Sequence, residues 1–170
     1  MKILFTFLAL SFSITIWSQK TPHTTEIFTV TGQIQKDMTF SLSDLERHVS
    51  TSIPDVVITN HLGAYRATAK QLSGILIKDL LKDLELKEEN PKLFSEFYLV
   101  FIAKDGYKVV YSWNEIFNNP VGNHLYFITD RDGKNLKDMS DRLLVLTTND
   151  FQTGRRHIKD IDKIVIKRVD

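Results

Sequence analysis

The run Thr153-Gly154-Arg155-Arg156-His157, with Lys159 two residues on, places three permanent positive charges within five residues. Arginine suits phosphate or carboxylate because its planar fork donates two parallel hydrogen bonds. Gly154 allows a backbone to approach an anion closely. Asn149, Asp150 and Gln152 stand just before it and add polar groups. The competing reading is a solvated charged loop, balanced by Asp160 and Asp162. Other chemistries leave no pattern: there is no H-E-x-x-H, no carboxylate-rich loop and no G-x-S-x-G elbow. His48 and His124 show no ligand spacing, and His23 stands near the N-terminus. The chain has no cysteine, which excludes disulfides, thiolate metal sites and cysteine nucleophiles.

The chain that must position these groups has 170 residues, 42% hydrophobic and 25% charged, as in an ordinary globular protein. Its 22 basic and 21 acidic residues nearly cancel, so no long-range field draws in nucleic acid or an anionic membrane. The first nineteen residues read as an export signal. Met1 and Lys2 give a short positive start, and residues 3–17 are apolar except for Thr6, Ser11, Ser13 and Thr15. Ser18 is a small residue at the cleavage position. The alternative is a permanent anchor, for which about 20 apolar residues are usual. No cysteine follows to carry a lipid, and no Arg-Arg pair marks the twin-arginine route. The expectation is a signal over 1–19 and a single domain over 20–170, periplasmic or secreted, with no membrane span after cleavage.

The mature chain reads as many short strands and a few short helices. Residues 26–31 alternate and stop at Gly32, and residues 53–59 form a β-branched run, so both read as strands. Ser43 to Glu46 has capping-box spacing and opens a helix to about Val49. Leu76, Leu80, Leu81 and Leu84 share one helical face, which predicts a helix over 76–84. The charged stretch 87–92, with Pro91, reads as a surface loop. Residues 97–103 and 107–111 read as a hairpin closed by Asp105-Gly106. Ser112 to Glu115 is a second capping box, and Asn118-Asn119-Pro120 ends its helix. Residues 125–129 and 143–148 read as apolar strands, and residues 161–169 as a closing strand.

Four stretches, in order, resemble one family. Phe28-Thr29-Val30-Thr31-Gly32 with Phe40 to Leu45 is similar to its opening "V-x-G … L-x-L-x-D-L". Leu72 to Leu81 is similar to "Y-x-G-V-x-L-x-D-L-L", and Ala103 to Ser112 followed by Glu115 looks like its "DGY" hairpin. Leu143 to Leu146, Gly154 to Lys159 and Ile164 are similar to "R-L-V-x-P … G-x-K-x-V-K-x-L-x-x-I". The chain thus resembles the oxidoreductase molybdopterin-binding domain family. That resemblance implies an α+β fold, a single mixed-sheet domain of the sulfite-oxidase type with short helices.

The departures shape the functional expectation. In catalytic members of that family a cysteine thiolate ligates molybdenum, in a loop after the strand that residues 53–59 would occupy. Here that loop reads Asn60-His61-Leu62-Gly63, and His61 falls at the ligand position if the loop aligns as "C-x-G". A neutral imidazole is a poor stand-in for an anionic thiolate on a high-valent ion. Molybdenum-pterin cofactor is fitted in the cytoplasm, and a chain threaded out unfolded does not carry it. Tyr65-Arg66 follows the loop and faces the same cleft by this alignment. The resemblance places the stretch at Arg155, Arg156 and Lys159 beside the pterin phosphate. Asp105 and Tyr107 are read as residues of the hairpin turn.

The expected binding residues are therefore Asn60, His61, Arg66, Arg155, Arg156 and Lys159, with no metal ligands and no catalytic residue assigned. The leading reading is an exported domain of this fold without the metal-ligating cysteine and without a cofactor, binding a small anionic ligand or a partner protein. The alternatives are a molybdopterin-dependent oxidoreductase with a non-cysteine ligand set, and an accessory subunit with a vestigial cleft.

Overall fold

Alternating burial lays down the longest strands. Phe97, Leu99, Phe101 and Ala103 point inward from one strand while Tyr98, Val100 and Ile102 lie on its other face. The computed structural model describes residues 26–170; the export signal read over 1–19, and His23, lie outside the described residues.

In chain order the first elements are β1 (Ile27–Gly32), β2 (Met38–Ser41), α1 (Leu42–Leu45), β3 (Thr51–Ile53), β4 (Val56–Thr59) and β5 (Tyr65–Ala69). Next come β6 (Leu72–Leu76), α2 (Ile77–Leu80), β7 (Phe97–Ala103), β8 (Lys108–Ser112) and α3 (Trp113–Phe117). The last are β9 (Leu125–Arg131), β10 (Lys134–Asn135), β11 (Leu144–Thr147) and β12 (Ile161–Arg168). One sheet is mixed, with order β2-β1-β12-β7-β8 and β1 parallel to β12. A second, antiparallel, runs β10-β9-β6-β3, and β11 also pairs with β9. The β4–β5 hairpin forms a separate two-stranded sheet. Phe28 on β1 joins the two larger sheets: its ring stacks on Phe40 of β2 at 5.1 Å and on Phe127 of β9 at 5.8 Å. The architecture is α+β, with mixed sheets and few, short helices. Among the described residues no helix is long and apolar enough to cross a membrane.

The structure departs from the sequence reading at several elements. The strand expected over 53–59 is two strands, β3 and β4, broken at Pro54-Asp55; proline supplies no N–H to a ladder. The helix expected over 76–84 shrinks to the single turn α2, because residues 72–76 are strand β6 between β3 and β9. Leu80 and Leu81 are buried as the periodicity implies, yet Leu76 is an extended N-cap. The first capping box lies two residues earlier: the Ser41 hydroxyl accepts the Asp44 N–H at 3.2 Å, and Asp44 accepts the Ser41 N–H at 2.8 Å. The second is where the spacing put it, between Ser112 and Glu115. Strand β5 had no signal, since Tyr65, Arg66 and Ala67 are all exposed and give no alternation. It is a strand because β4 offers a ladder to pair with.

Candidate functional site

Three segments distant in sequence converge on one cleft of about 400 Å³. They are the β4–β5 turn, the β7–β8 turn, and residues 154–159 with the 3-10 turn Thr153–Arg155. That short turn docks on the outer edge of β4 much as a strand would. The buried Thr153 hydroxyl donates to the Val57 carbonyl at 2.8 Å and accepts the Thr59 N–H at 3.0 Å. Gly154 is required beside it, because a Cβ there would lie 2.0 Å from the Thr59 carbonyl oxygen. The close approach expected of Gly154 is thus made to the protein's own backbone.

The β4–β5 turn is organised by Asn60, whose Oδ1 accepts the N–H groups of Leu62 and Ala64, both at 2.9 Å. Asn60 therefore acts first as a turn residue, and it also lines the cleft. His61 follows with an exposed ring 6.2 Å from that of Tyr107. Arg155 ties this turn down, its Nε donating to the His61 carbonyl at 3.0 Å. The Tyr107 hydroxyl donates to the Arg155 carbonyl, so the β7–β8 hairpin grips the same loop. Asp105 accepts the Tyr107 N–H at 2.9 Å and closes the turn, while both residues also line the cleft.

The expected binding residues separate into two groups. Asn60, His61, Arg66 and Lys159 line the cleft together. Arg66 is exposed and forms no ion pair among the described residues. Lys159 is half exposed, and its Nζ sits 2.6 Å from Asp141. Arg155 and Arg156 instead flank a neighbouring hollow with Asp150, Phe151 and Gln152. The Arg156 fork is filled from within. Its Nε donates to Asp150 at 2.7 Å, Nη2 donates to the other Asp150 oxygen, and Nη1 reaches Glu115 at 3.2 Å. The guanidinium also lies 4.6 Å from the ring centroid of buried Tyr111. The hydrogen bond to Asp150 raises the Arg156 pKa further. Burial raises that of the Tyr111 phenol, whose hydroxyl has no hydrogen-bond partner among the described residues.

The structure adds residues that were not expected to bind. His157, read only as part of the basic run, lines the cleft, with its Nε2 enclosed and without a partner among the described residues. Burial, then the nearby charges of Lys159 and Arg131, depresses its pKa to about 4, so the imidazole is neutral at pH 7. Asp105 and Tyr107 join it, and the similarity of their hairpin to "DGY" was the available signal.

Fold and cleft together define an α+β protein with a cleft between loops at the margin of its mixed sheet. No family model matches the chain, and no curated protein matches it. Among solved structures, a chain of the sulfane dehydrogenase SoxCD from Paracoccus pantotrophus is similar, with a TM-score of 0.58 and 12% identity. The likeness covers 84% of this chain and 39% of that one, and it is a likeness of fold. This chain thus spans well under half of its structural neighbour.

Two outcomes follow from this geometry. Arg156→Ala leaves the Asp150 carboxylate, only 13% exposed, without its cation. A fall of about 2–4 kcal/mol in unfolding free energy is expected, measured by urea denaturation, with Arg156→Lys recovering part of it. A loss below about 0.5 kcal/mol, the range of neutral surface changes, would contradict the structural role. For His157 the folded pKa of about 4 lies below the ordinary value of 6.5. The unfolded chain binds the proton first, so its contribution is complete above pH 6.5 and fades as pH falls toward 4. The loss attributable to it is on the order of 3 kcal/mol. Denaturation at pH 7 and pH 4.5 should show a smaller difference for His157→Gln than for the parent, and equal differences would refute the assignment.

Proposed function

We propose that this chain is an exported binding module of the sulfite-oxidase fold that takes a small anionic ligand in its cleft. The fold likeness to sulfane dehydrogenase and the four sequence stretches support the fold, and the apolar stretch after Met1-Lys2 supports export. The observation that carries the second is Arg66, which lines the cleft without an ion pair among the described residues, with Lys159 in the same lining. The His61 ring and the side-chain amide of Asn60 add hydrogen-bonding groups, and Asp105 is the carboxylate that a bound anion must avoid.

The fold family implies a molybdenum-pterin cofactor, and the residues here do not fit it. There is no cysteine to supply a thiolate. Among the described residues no three His, Asp or Glu side chains group as metal ligands. His157 has its Nε2 enclosed, and Asp105 gives an oxygen to its own turn. Arg156, the position the resemblance sets beside the pterin phosphate, has its fork filled by Asp150. No catalytic step is therefore derived through that group. The alternative, a molybdopterin-dependent oxidoreductase with a non-cysteine ligand set, has the fold likeness alone in its favour.

Calorimetric titration with inorganic phosphate and with sulfate at low salt tests the binding reading. At least one of the two anions should bind, added salt should weaken it, and Arg66→Ala should weaken it about tenfold or more, as for a charged hydrogen bond. Failure of both anions, or indifference to Arg66→Ala, would remove the proposal's basis. Elemental and pterin analysis of the protein purified from its own compartment should find a folded chain with neither component. Near-stoichiometric molybdenum with pterin would instead establish the alternative.

A further inference from the structure

Two turns that meet at the rim of the cleft each hold a large apolar side chain in solvent. Leu62, at the tip of the β4–β5 turn, is 85% exposed, and Phe151, two residues before the 3-10 turn, is fully exposed. Tyr65, just beyond the first turn, is 67% exposed. The turns touch one another: Arg155 Nε donates to the His61 carbonyl, and Gly63 packs against the Gln152 side chain. Neither tip is loosely held. The Asn60 carboxamide holds the N–H groups of Leu62 and Ala64, and Thr153 fastens the second turn to β4. Single exposed apolar residues are ordinary, whereas adjacent ones on rigid, projecting turns form a patch.

Two exposed cations stand beside the patch. Arg155 is exposed and makes no ion pair among the described residues, and the same holds for Arg66 on β5. Asp150, the acid beside Phe151, is already bonded by Arg156. An arginine next to protruding leucine and aromatic side chains suits an interface whose phosphates lie above hydrocarbon, where aromatic rings sit at headgroup depth. Area argues the same way. Three side chains of this size offer on the order of 500 Å², short of the ~800 Å² that each partner contributes to a stable protein interface. A lipid surface needs no complementary relief and accepts side chains singly. The mature chain carries no net charge, so attraction acts only within about 10 Å, the Debye length at 0.1 M salt.

We propose that the Leu62–Phe151–Arg155 face is a docking surface for an anionic lipid membrane, on which the protein rests without spanning it. This inference is independent of the ligand assigned to the cleft. Co-sedimentation of the full mature chain with phosphatidylcholine vesicles, with and without phosphatidylglycerol, tests it. Binding is expected on the phosphatidylglycerol vesicles, weakening as salt is added. Phe151→Ser and Leu62→Ser should each lower the partition coefficient about tenfold with unchanged urea denaturation curves, and Arg155→Gln should lower it several-fold. Phe151→Ser should leave phosphate titration of the cleft unchanged, which separates failure at the rim from failure at the cleft. Absence of binding, equal binding to both vesicle types, or binding indifferent to Phe151→Ser overturns the proposal. Self-association in sedimentation that Phe151→Ser abolishes overturns it too, assigning the face to a second copy of the chain.

Discussion

Thr153 bonds a loop to the open edge of β4, and the cleft exists because of that bond. An edge strand presents N–H and C=O groups that must find partners where water is excluded. Along β4 one edge is satisfied by β5, while the other is met at Val57 and Thr59 by one hydroxyl. With the loop seated there, Gly154 lies on the Thr59 carbonyl, Arg155 reaches the His61 carbonyl, and Tyr107 reaches over from the β7–β8 hairpin. Three loops from different sheets are held by a few short polar contacts. The geometry around His61 and Lys159 is set by those contacts before any ligand arrives.

The two adjacent arginines illustrate how the fold divides identical chemistry. Arg155 ends the 3-10 turn and Arg156 follows it as its C-cap, so the two side chains meet different neighbours. Arg156 meets Asp150 and Glu115 above the Tyr111 ring and links the C-terminal loop to the start of α3. Glu115 serves there twice, since its other oxygen accepts the Ser112 N–H in the capping box. Arg155 stays at the surface and fastens the turn that carries His61. The cation that lines the cleft without an ion pair among the described residues is Arg66, on a strand with no hydrophobic signature of its own.

A core without cysteine carries the molecule's stability. Phe28 stacks toward both larger sheets, and the parallel pairing of β1 with β12 brings the first and last described strands side by side. This closure leaves the loops at the sheet margins able to vary. The likeness to sulfane dehydrogenase, at 12% identity, is one of fold, and a shared fold does not by itself carry a shared function.

Much of the fold was legible in the chain because it rests on local rules. Alternation marked β1, β7 and β12, Asp105-Gly106 marked the hairpin, and the Ser112–Glu115 box marked α3. The same rules misread residues 72–84, where a leucine face suggested helix and pairing with β3 and β9 imposed a strand. For the cleft, the family resemblance named Asn60, His61, Arg66, Arg155, Arg156 and Lys159 together; the structure sets Asn60, His61, Arg66 and Lys159 around one cleft and Arg155 and Arg156 beside a neighbouring hollow. What tertiary structure alone decided is which charges are free. Ion pairing depends on neighbours that are 6 residues away for Asp150 and 41 for Glu115, and no local spacing encodes both. The sequence determined the inventory of strands and cations; the packing of loops on β4 determined which cation faces the cleft and which holds the fold together.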